Sequence, residues 1–178
     1  MKGKKEDDTF ALKDHICDDG STYTGYAKCN TRTTLTDTIK VTEHGRGRKF
    51  YCNGSKYEGE FSNGKPNGKG VFNSQHGDTY EGNFKDSLAN GFGNYTQKDG
   101  TIFAGEWKMD CKSHGTEVLT DGTTFTGNFS KSLYHGYGEC KWPEGHLYKG
   151  NWNEGIMEGL GEYTFPDGSW YVGNWKDN

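Results

Sequence analysis

The chain has 178 residues, among them 28 Gly, 10 Phe, 11 Tyr and 5 Trp, and carries a formal net charge of -4. Leucine, isoleucine and valine together number only 15, which excludes a core of branched aliphatic side chains. No stretch approaches the roughly 18 consecutive apolar residues that a membrane-spanning helix needs. The composition allows a sheet that buries rings against glycines.

The first residues, Met1 to Asp8, are charged and no apolar run follows them, so no signal peptide is expected. Neither N-myristoylation nor prenylation is expected, because position 2 is not Gly and the chain ends Trp175-Lys176-Asp177-Asn178. Residues 1–18 form an N-terminal segment outside any repeat, with Phe10, Leu12 and Ile16 as its apolar anchors. Cys17, Cys29, Cys52, Cys111 and Cys140 are widely spaced and odd in number, which fits neither a disulfide framework nor a C-x-x-C metal pair. A reducing, cytoplasmic compartment is expected. From Asn30 to Thr42 the sequence is rich in threonine and is read as an extended loop. The densest basic cluster follows at Arg46, Arg48 and Lys49, a candidate contact for an anionic group such as a lipid headgroup. The acidic balance argues against nucleic acid, whose phosphates demand a basic face.

A repeat then governs the chain. Glycines fall at Gly54, Gly77, Gly100, Gly122, Gly145 and Gly168, at steps of 23, 23, 22, 23 and 23 residues. A second set lies five residues later (Gly59, Gly82, Gly105, Gly127, Gly150, Gly173) and a third seven residues earlier (Gly47, Gly70, Gly93, Gly115, Gly138, Gly161). Around the second set runs an aromatic-x-Gly-x-aromatic signature: Tyr57 and Phe61, Tyr80 and Phe84, Phe103 and Trp107, Phe125 and Phe129, Tyr148 and Trp152, Tyr171 and Trp175. A weaker first copy is Tyr23-x-Gly25 with Ala27. The fourth unit is one residue short, and Ser113 stands where Gly45, Gly68, Gly91, Gly136 and Gly159 open a G-x-G pair.

The signature alternates with period two, so it predicts a strand with rings on one face and polar residues such as Glu58 and Glu60 on the other. The bare glycine leaves room for a ring from a neighbouring strand to lie flat on the backbone. A second strand is expected after each G-x-G pair, and a tight Asp-Gly or Asn-Gly reversal (Asp99-Gly100, Asp121-Gly122, Asp167-Gly168, Asn53-Gly54) closes the hairpin. The fold class is therefore all-β, an elongated single-layer antiparallel β-hairpin repeat solenoid. Two strands per unit at about 4.8 Å give roughly 10 Å per repeat, or about 60 Å for six.

Period, glycine register and ring positions together resemble the MORN repeat, a unit of the form Y-x-G-x-W…G-x-G…D-G. The resemblance covers residues 19–178: a degenerate first unit with an insertion near 30–42, units starting near 55, 78, 101, 123 and 146, and a half unit from 169. It implies a non-catalytic protein-interaction scaffold, with the class's cytoskeletal, ciliary, axonemal and radial-spoke settings. Two alternatives come with it: a membrane or phosphoinositide tether, and a regulatory module acting in trans on an enzyme. Protein partners are expected, self-association and weak anionic-lipid binding are open, and no cofactor is implied. The candidate partner-binding residues are the rings Tyr80, Phe84, Phe103, Trp107, Phe125, Phe129, Tyr148, Trp152, Tyr171 and Trp175, since a single-layer sheet leaves part of its ring face available.

Reactive chemistry is not expected. The six histidines fall mostly beside glycines in turns, and a zinc site at His15, Cys17 and Cys29 lacks a fourth ligand. Gly68-Lys69-Gly70 lacks the helix that a phosphate loop requires, and no G-x-S-x-G elbow is present.

Overall fold

A computed structural model describes residues 9–29 and 41–177. It is all-β. Fourteen strands form one open antiparallel sheet in strict sequence order: β1 (Thr9–Ile16), β2 (Thr22–Cys29), β3 (Val41–Phe50), β4 (Lys56–Ser62), β5 (Lys65–Asn73), β6 (Thr79–Lys85), β7 (Leu88–Thr96), β8 (Ile102–Lys108), β9 (Cys111–Val118), β10 (Thr124–Ser130), β11 (Leu133–Lys141), β12 (Leu147–Asn153), β13 (Ile156–Thr164) and β14 (Trp170–Trp175). Contacts divide the chain into two compact units within β6, one holding residues up to Gly77 with 83–88 and the other 78–82 with everything from Ala89.

Residues 9–16, in the N-terminal segment, form a strand paired with β2. Other sequence expectations need correction. Most of the threonine-rich insertion lies outside the described residues, but Val41 and Thr42 already belong to β3. The second strand of each unit starts before its G-x-G pair, which sits inside the strand, as Gly68 and Gly70 do in β5.

The pair divides two tasks. Its first glycine takes a left-handed φ at Gly45, Gly68, Gly91, Gly136 and Gly159, between 67° and 102°. In the β4–β5, β10–β11 and β12–β13 pairs this glycine lies in the register shift between the glycine pair and the turn, a bulge that only glycine fits without strain. In the fourth unit the shift between Glu106 and Trp107 is one residue shorter, and Ser113 is not left-handed. The missing residue and the missing glycine are thus one event: a shorter bulge needs no left-handed position.

The second glycine provides space. Glycine faces glycine across successive strands, as in Gly47↔Gly59↔Gly70 and Gly93↔Gly105↔Gly115↔Gly127↔Gly138↔Gly150↔Gly161↔Gly173. The ring that covers each pair comes from the same strand, two residues before its glycine, and not from a neighbouring strand. A Cβ at Gly59 would lie 2.5 Å from the Tyr57 hydroxyl, and one at Gly127 would lie 2.8 Å from Phe125 Cζ. Tyr57 then donates to the Glu60 carbonyl at 2.9 Å and Tyr148 to the Asn151 carbonyl at 3.0 Å, so the buried hydroxyls are satisfied.

The Asp-Gly reversals link paired strands as expected, with Gly100, Gly122 and Gly168 left-handed. From β4 onward, two-residue reversals with both φ positive close the other end of the hairpins, at Asn63-Gly64, Asp86-Ser87, Met109-Asp110, Lys131-Ser132 and Glu154-Gly155. These are the type I′ turns suited to the strand twist. The Asp-Gly loops are longer: Gln97 N–H donates to the Thr101 carbonyl while the Asp99 carboxylate caps Thr101 N–H at 2.8 Å. The same cap recurs from Asp121 to Thr123 and from Asp167 to Ser169. The Thr123 N–H holds the Asp121 carboxyl below the usual carboxylate range, and the Ser169 hydroxyl, with its N–H, does the same for Asp167.

Candidate partner-binding surfaces

The rings proposed for partner contact form the core. Tyr80, Phe84, Phe103, Trp107, Phe125, Phe129, Tyr148 and Trp152 are all buried. Tyr57, Phe103, Phe125 and Tyr148 each meet the trailing ring of their own repeat and that of the next in edge-to-face contact. In the first unit of the chain this is Tyr57 against Phe61 and Phe84, both at 5.0 Å. In the second, Phe103 meets Trp107 and Phe129 at 5.2 and 5.1 Å, and Tyr148 meets Trp152 and Trp175 at 5.2 and 5.4 Å. Each such pair contributes about 0.5–1.5 kcal/mol beyond the area it buries. The tryptophans add indole bonds to glycine carbonyls, from Trp107 to Gly93 at 3.1 Å and from Trp152 to Gly138 at 3.3 Å. A thin sheet closes its ring face where a ring has partners on both sides, as Phe103, Phe125 and Tyr148 do. Of the ten candidates only Tyr171 and Trp175, in β14, keep surface.

Two units interrupt the ladder with charge. The positions that hold Pro66 with Phe72, Tyr134 with Cys140 and Met157 with Tyr163 hold Glu43 with Lys49 in β3, and Lys112 with Glu117 in β9. Lys49 lies 3.0 Å from Glu43 and 3.4 Å from Asp19. Burial opposes its charge, but the Glu43 bond and the surrounding carboxylates hold the ammonium above its ordinary pKa. In β9 the signs are exchanged: Lys112 bonds Glu117 beside the Phe103 and Phe129 rings, and Tyr134 donates to Glu117 at 3.0 Å.

The proposed anionic contact is largely committed elsewhere. Lys49 is buried against two carboxylates, and Arg48 pairs with Glu58 at 2.8 Å. Arg46 is exposed and lies across from Glu60. Burial pushes the Cys140 thiol up to about 12, so this cysteine is no nucleophile at neutral pH. Among the described residues no three His, Cys, Asp or Glu side chains cluster as metal ligands.

The exposed apolar groups lie elsewhere. The residue at the centre of each G-x-G points to the reverse face, opposite the rings. In the second unit it is Phe92, Tyr137 and Leu160, exposed by 71%, 62% and 63%. The equivalent positions Arg46, Lys69 and His114 are polar. This row carries the same 23-residue spacing as the glycines, and that spacing was the signal available in the sequence. A second exposed group is on β14, where Trp170, Tyr171 and Val172 are consecutive exposed apolar residues.

The MORN repeat family model matches residues 57–79, 80–102, 125–147 and 148–170, just over half of the chain. The chain belongs to the MORN-repeat family. No curated protein matches it. Among solved structures, this MORN-repeat chain is similar to the TCP domain of Drosophila melanogaster SAS-4 in complex with a proline-rich motif of Ana2, at 10% identity over 99% of this chain and 96% of that one, with a TM-score of 0.49. It is also similar to the TCP10c domain of Drosophila melanogaster Sas-4 (10% identity, 94% and 100% covered, TM-score 0.46). A third is the TCP10 domain of Danio rerio CPAP with a STIL peptide (15% identity, 93% of each chain, TM-score 0.34).

Proposed function

We propose that this MORN-repeat chain is a non-catalytic protein-interaction scaffold, a structural component of a cytoskeletal assembly of the ciliary, axonemal or radial-spoke kind. The observation that carries the reading is the placement of its apolar residues. The ring face is consumed by the ladder, while the reverse face of the second unit exposes Phe92, Tyr137 and Leu160. Two exposed rings and a leucine at one position of the repeat favour a protein surface. The membrane-tether reading is weaker, because Arg48 and Lys49 are already paired with carboxylates.

Affinity purification with mass spectrometry tests this, comparing the natural chain with a Phe92→Ser/Tyr137→Ser/Leu160→Ser variant. We expect cytoskeletal partners with the natural chain and their loss with the variant, at an unchanged β-type circular dichroism spectrum. An unchanged partner set would overturn the use of this face. Salt-sensitive flotation with phosphoinositide vesicles, in the absence of any protein partner, would replace the scaffold reading with the tether.

A further inference from the structure

We propose that the reverse face of the second unit docks a basic amphipathic helix of a partner protein, laid across the strands from β7 to β13. The inference rests on the scaffold reading and deepens it, by naming the class of segment that covers Phe92, Tyr137 and Leu160.

The strands that carry Phe92 and Tyr137, β7 and β11, have a neighbour on either side. Neither residue therefore owes its exposure to an end of the sheet. Both flanks of this central row are apolar too. Ile102 and Val118 lie toward the Asp-Gly loops, Leu133 and Ile156 toward the two-residue turns, each between 37% and 45% exposed. The result is an apolar strip that runs across the strands.

Charge selects what covers it. The second unit, residues 78–82 and 89–178, carries 14 Asp and Glu against 7 Lys, a net charge of -7, whereas the remaining residues carry 14 Lys and Arg against 11 Asp and Glu. The loops after β7, β9, β11 and β13 run along one long side of the strip. Each exposes a carboxylate, at Asp99, Asp121, Glu144 and Asp167, with Lys98 as their single lysine. Two strands separate one loop from the next, so these carboxylates recur at about 10 Å. On the strip itself Lys149 is held by Glu139 at 3.2 Å, while Glu106, opposite Phe92, and Glu162 make no ion pair among the described residues. Like charges facing each other across an interface are unfavourable. That disfavours an anionic membrane and a second copy of the same acidic face, and it favours a surface rich in lysine or arginine.

The backbone ladder selects a helix. Strands β8 to β12 are paired along both edges, so they have no row of backbone groups to offer an incoming segment. A segment that buries apolar side chains on them must satisfy its own N–H and C=O groups, as a helix does. The dimensions agree. From Phe92 on β7 to Leu160 on β13 there are six strand spacings of about 4.8 Å, or about 29 Å, which about 19 helical residues span. The two-strand step from Tyr137 to Leu160, about 10 Å, matches the rise of about 10.5 Å between positions i and i+7 on one face of a helix.

The probe is a synthetic amphipathic peptide of roughly 20 residues, with leucines on one helical face and lysines along both flanks, and a twin with glutamates in place of the lysines. Fluorescence anisotropy at physiological ionic strength, circular dichroism of the mixture and photo-crosslinks from the middle of the leucine face are the measurements. The lysine peptide should bind, gain helical signal on binding and cross-link beside Phe92, Tyr137 or Leu160. The glutamate twin should bind about tenfold more weakly or worse. Phe92→Ser/Tyr137→Ser/Leu160→Ser should abolish binding. Asp99→Asn/Asp121→Asn/Glu144→Gln/Asp167→Asn should weaken it about tenfold or more at an unchanged β-type spectrum, because asparagine keeps the oxygen that caps the loops at Asp99, Asp121 and Asp167. No binding of the lysine peptide, equal binding of the twin, binding without helix, or cross-links elsewhere would overturn the proposal. So would flotation of the chain with phosphatidylserine vesicles, or a dimer dissolved by the triple substitution, since either gives the face another occupant. If the lysine peptide fails while the triple substitution still strips partners from the purified chain, the helix falls and the scaffold reading stands.

Discussion

Ser132 holds a left-handed backbone at φ 64°, next to Lys131 at φ 50°, because a type I′ turn needs both. A residue with a Cβ gives up about 1–2 kcal/mol in this conformation. Ser132→Gly should therefore stabilise the protein by about 1 kcal/mol, read as a higher urea midpoint at unchanged slope. Asp110 occupies the same turn position at φ 63°, yet Asp110→Gly should destabilise. Its carboxylate accepts the Ala89 N–H at 2.6 Å, and a hydrogen bond to a charged group contributes about 1.5–3 kcal/mol. Opposite signs for one substitution at two equivalent turns are the test, and equal signs would refute the assignment of the Asp110 bond. These turns were not legible in the sequence. Met109-Asp110 and Lys131-Ser132 contain no glycine, so their residue types do not mark a turn, whereas the Asp-Gly pairs do reverse the chain at the other end with Gly100, Gly122 and Gly168 left-handed. The twist of paired strands imposes the turn type here, against local preference.

At the scale of an element, β9 departs most from its neighbours. Its Lys112–Glu117 pair replaces ring-face residues of the other units, and both side chains are about nine-tenths buried. Removing one partner of such a pair leaves an unpaired charge and costs about 3–5 kcal/mol, while replacing both with apolar groups is often neutral or stabilising. Lys112→Met should therefore lower the urea midpoint sharply, as should Glu117→Tyr, and the double variant should recover most or all of the loss. Additive losses would show that the two residues act separately. The Glu43–Lys49 pair in β3 repeats the arrangement with signs exchanged. The irregular unit was visible from its lost residue and from Ser113. The exchange of signs became visible only once register placed Glu117 and Lys49 at one position and Lys112 and Glu43 at the other. The rings were legible as a period-two face, but their burial was not. Burial depends on the next unit's ring lying 5.0–5.5 Å away in edge-to-face contact, and alternation within one strand carries no such distance.

For the whole molecule, the glycine row makes stability a property of neighbours. Gly127 faces Gly115 on one side and Gly138 on the other, and its Cβ would meet Gly138 Cα at 2.7 Å and the Tyr137 carbonyl at 3.0 Å. These are backbone atoms, which cannot rotate away as a side chain could. Overpacking of this kind costs about 1–3 kcal/mol and more where nothing yields, so Gly127→Ala should lose about 3 kcal/mol or more. In a quasi-one-dimensional array, energy passes mainly between adjacent repeats, so the damage should be local. Amide exchange should accelerate in β9–β12 while the amides of β2–β4 keep their protection at the same denaturant concentration. A uniform loss across every strand would show that the sheet unfolds as one cooperative body. Unchanged exchange throughout would show that the ring over Gly127 and Gly138 can move aside, and that the row is not what sets the register. The expected pattern, with one segment open and the other closed, follows from contacts that join each strand to its immediate neighbours in sequence.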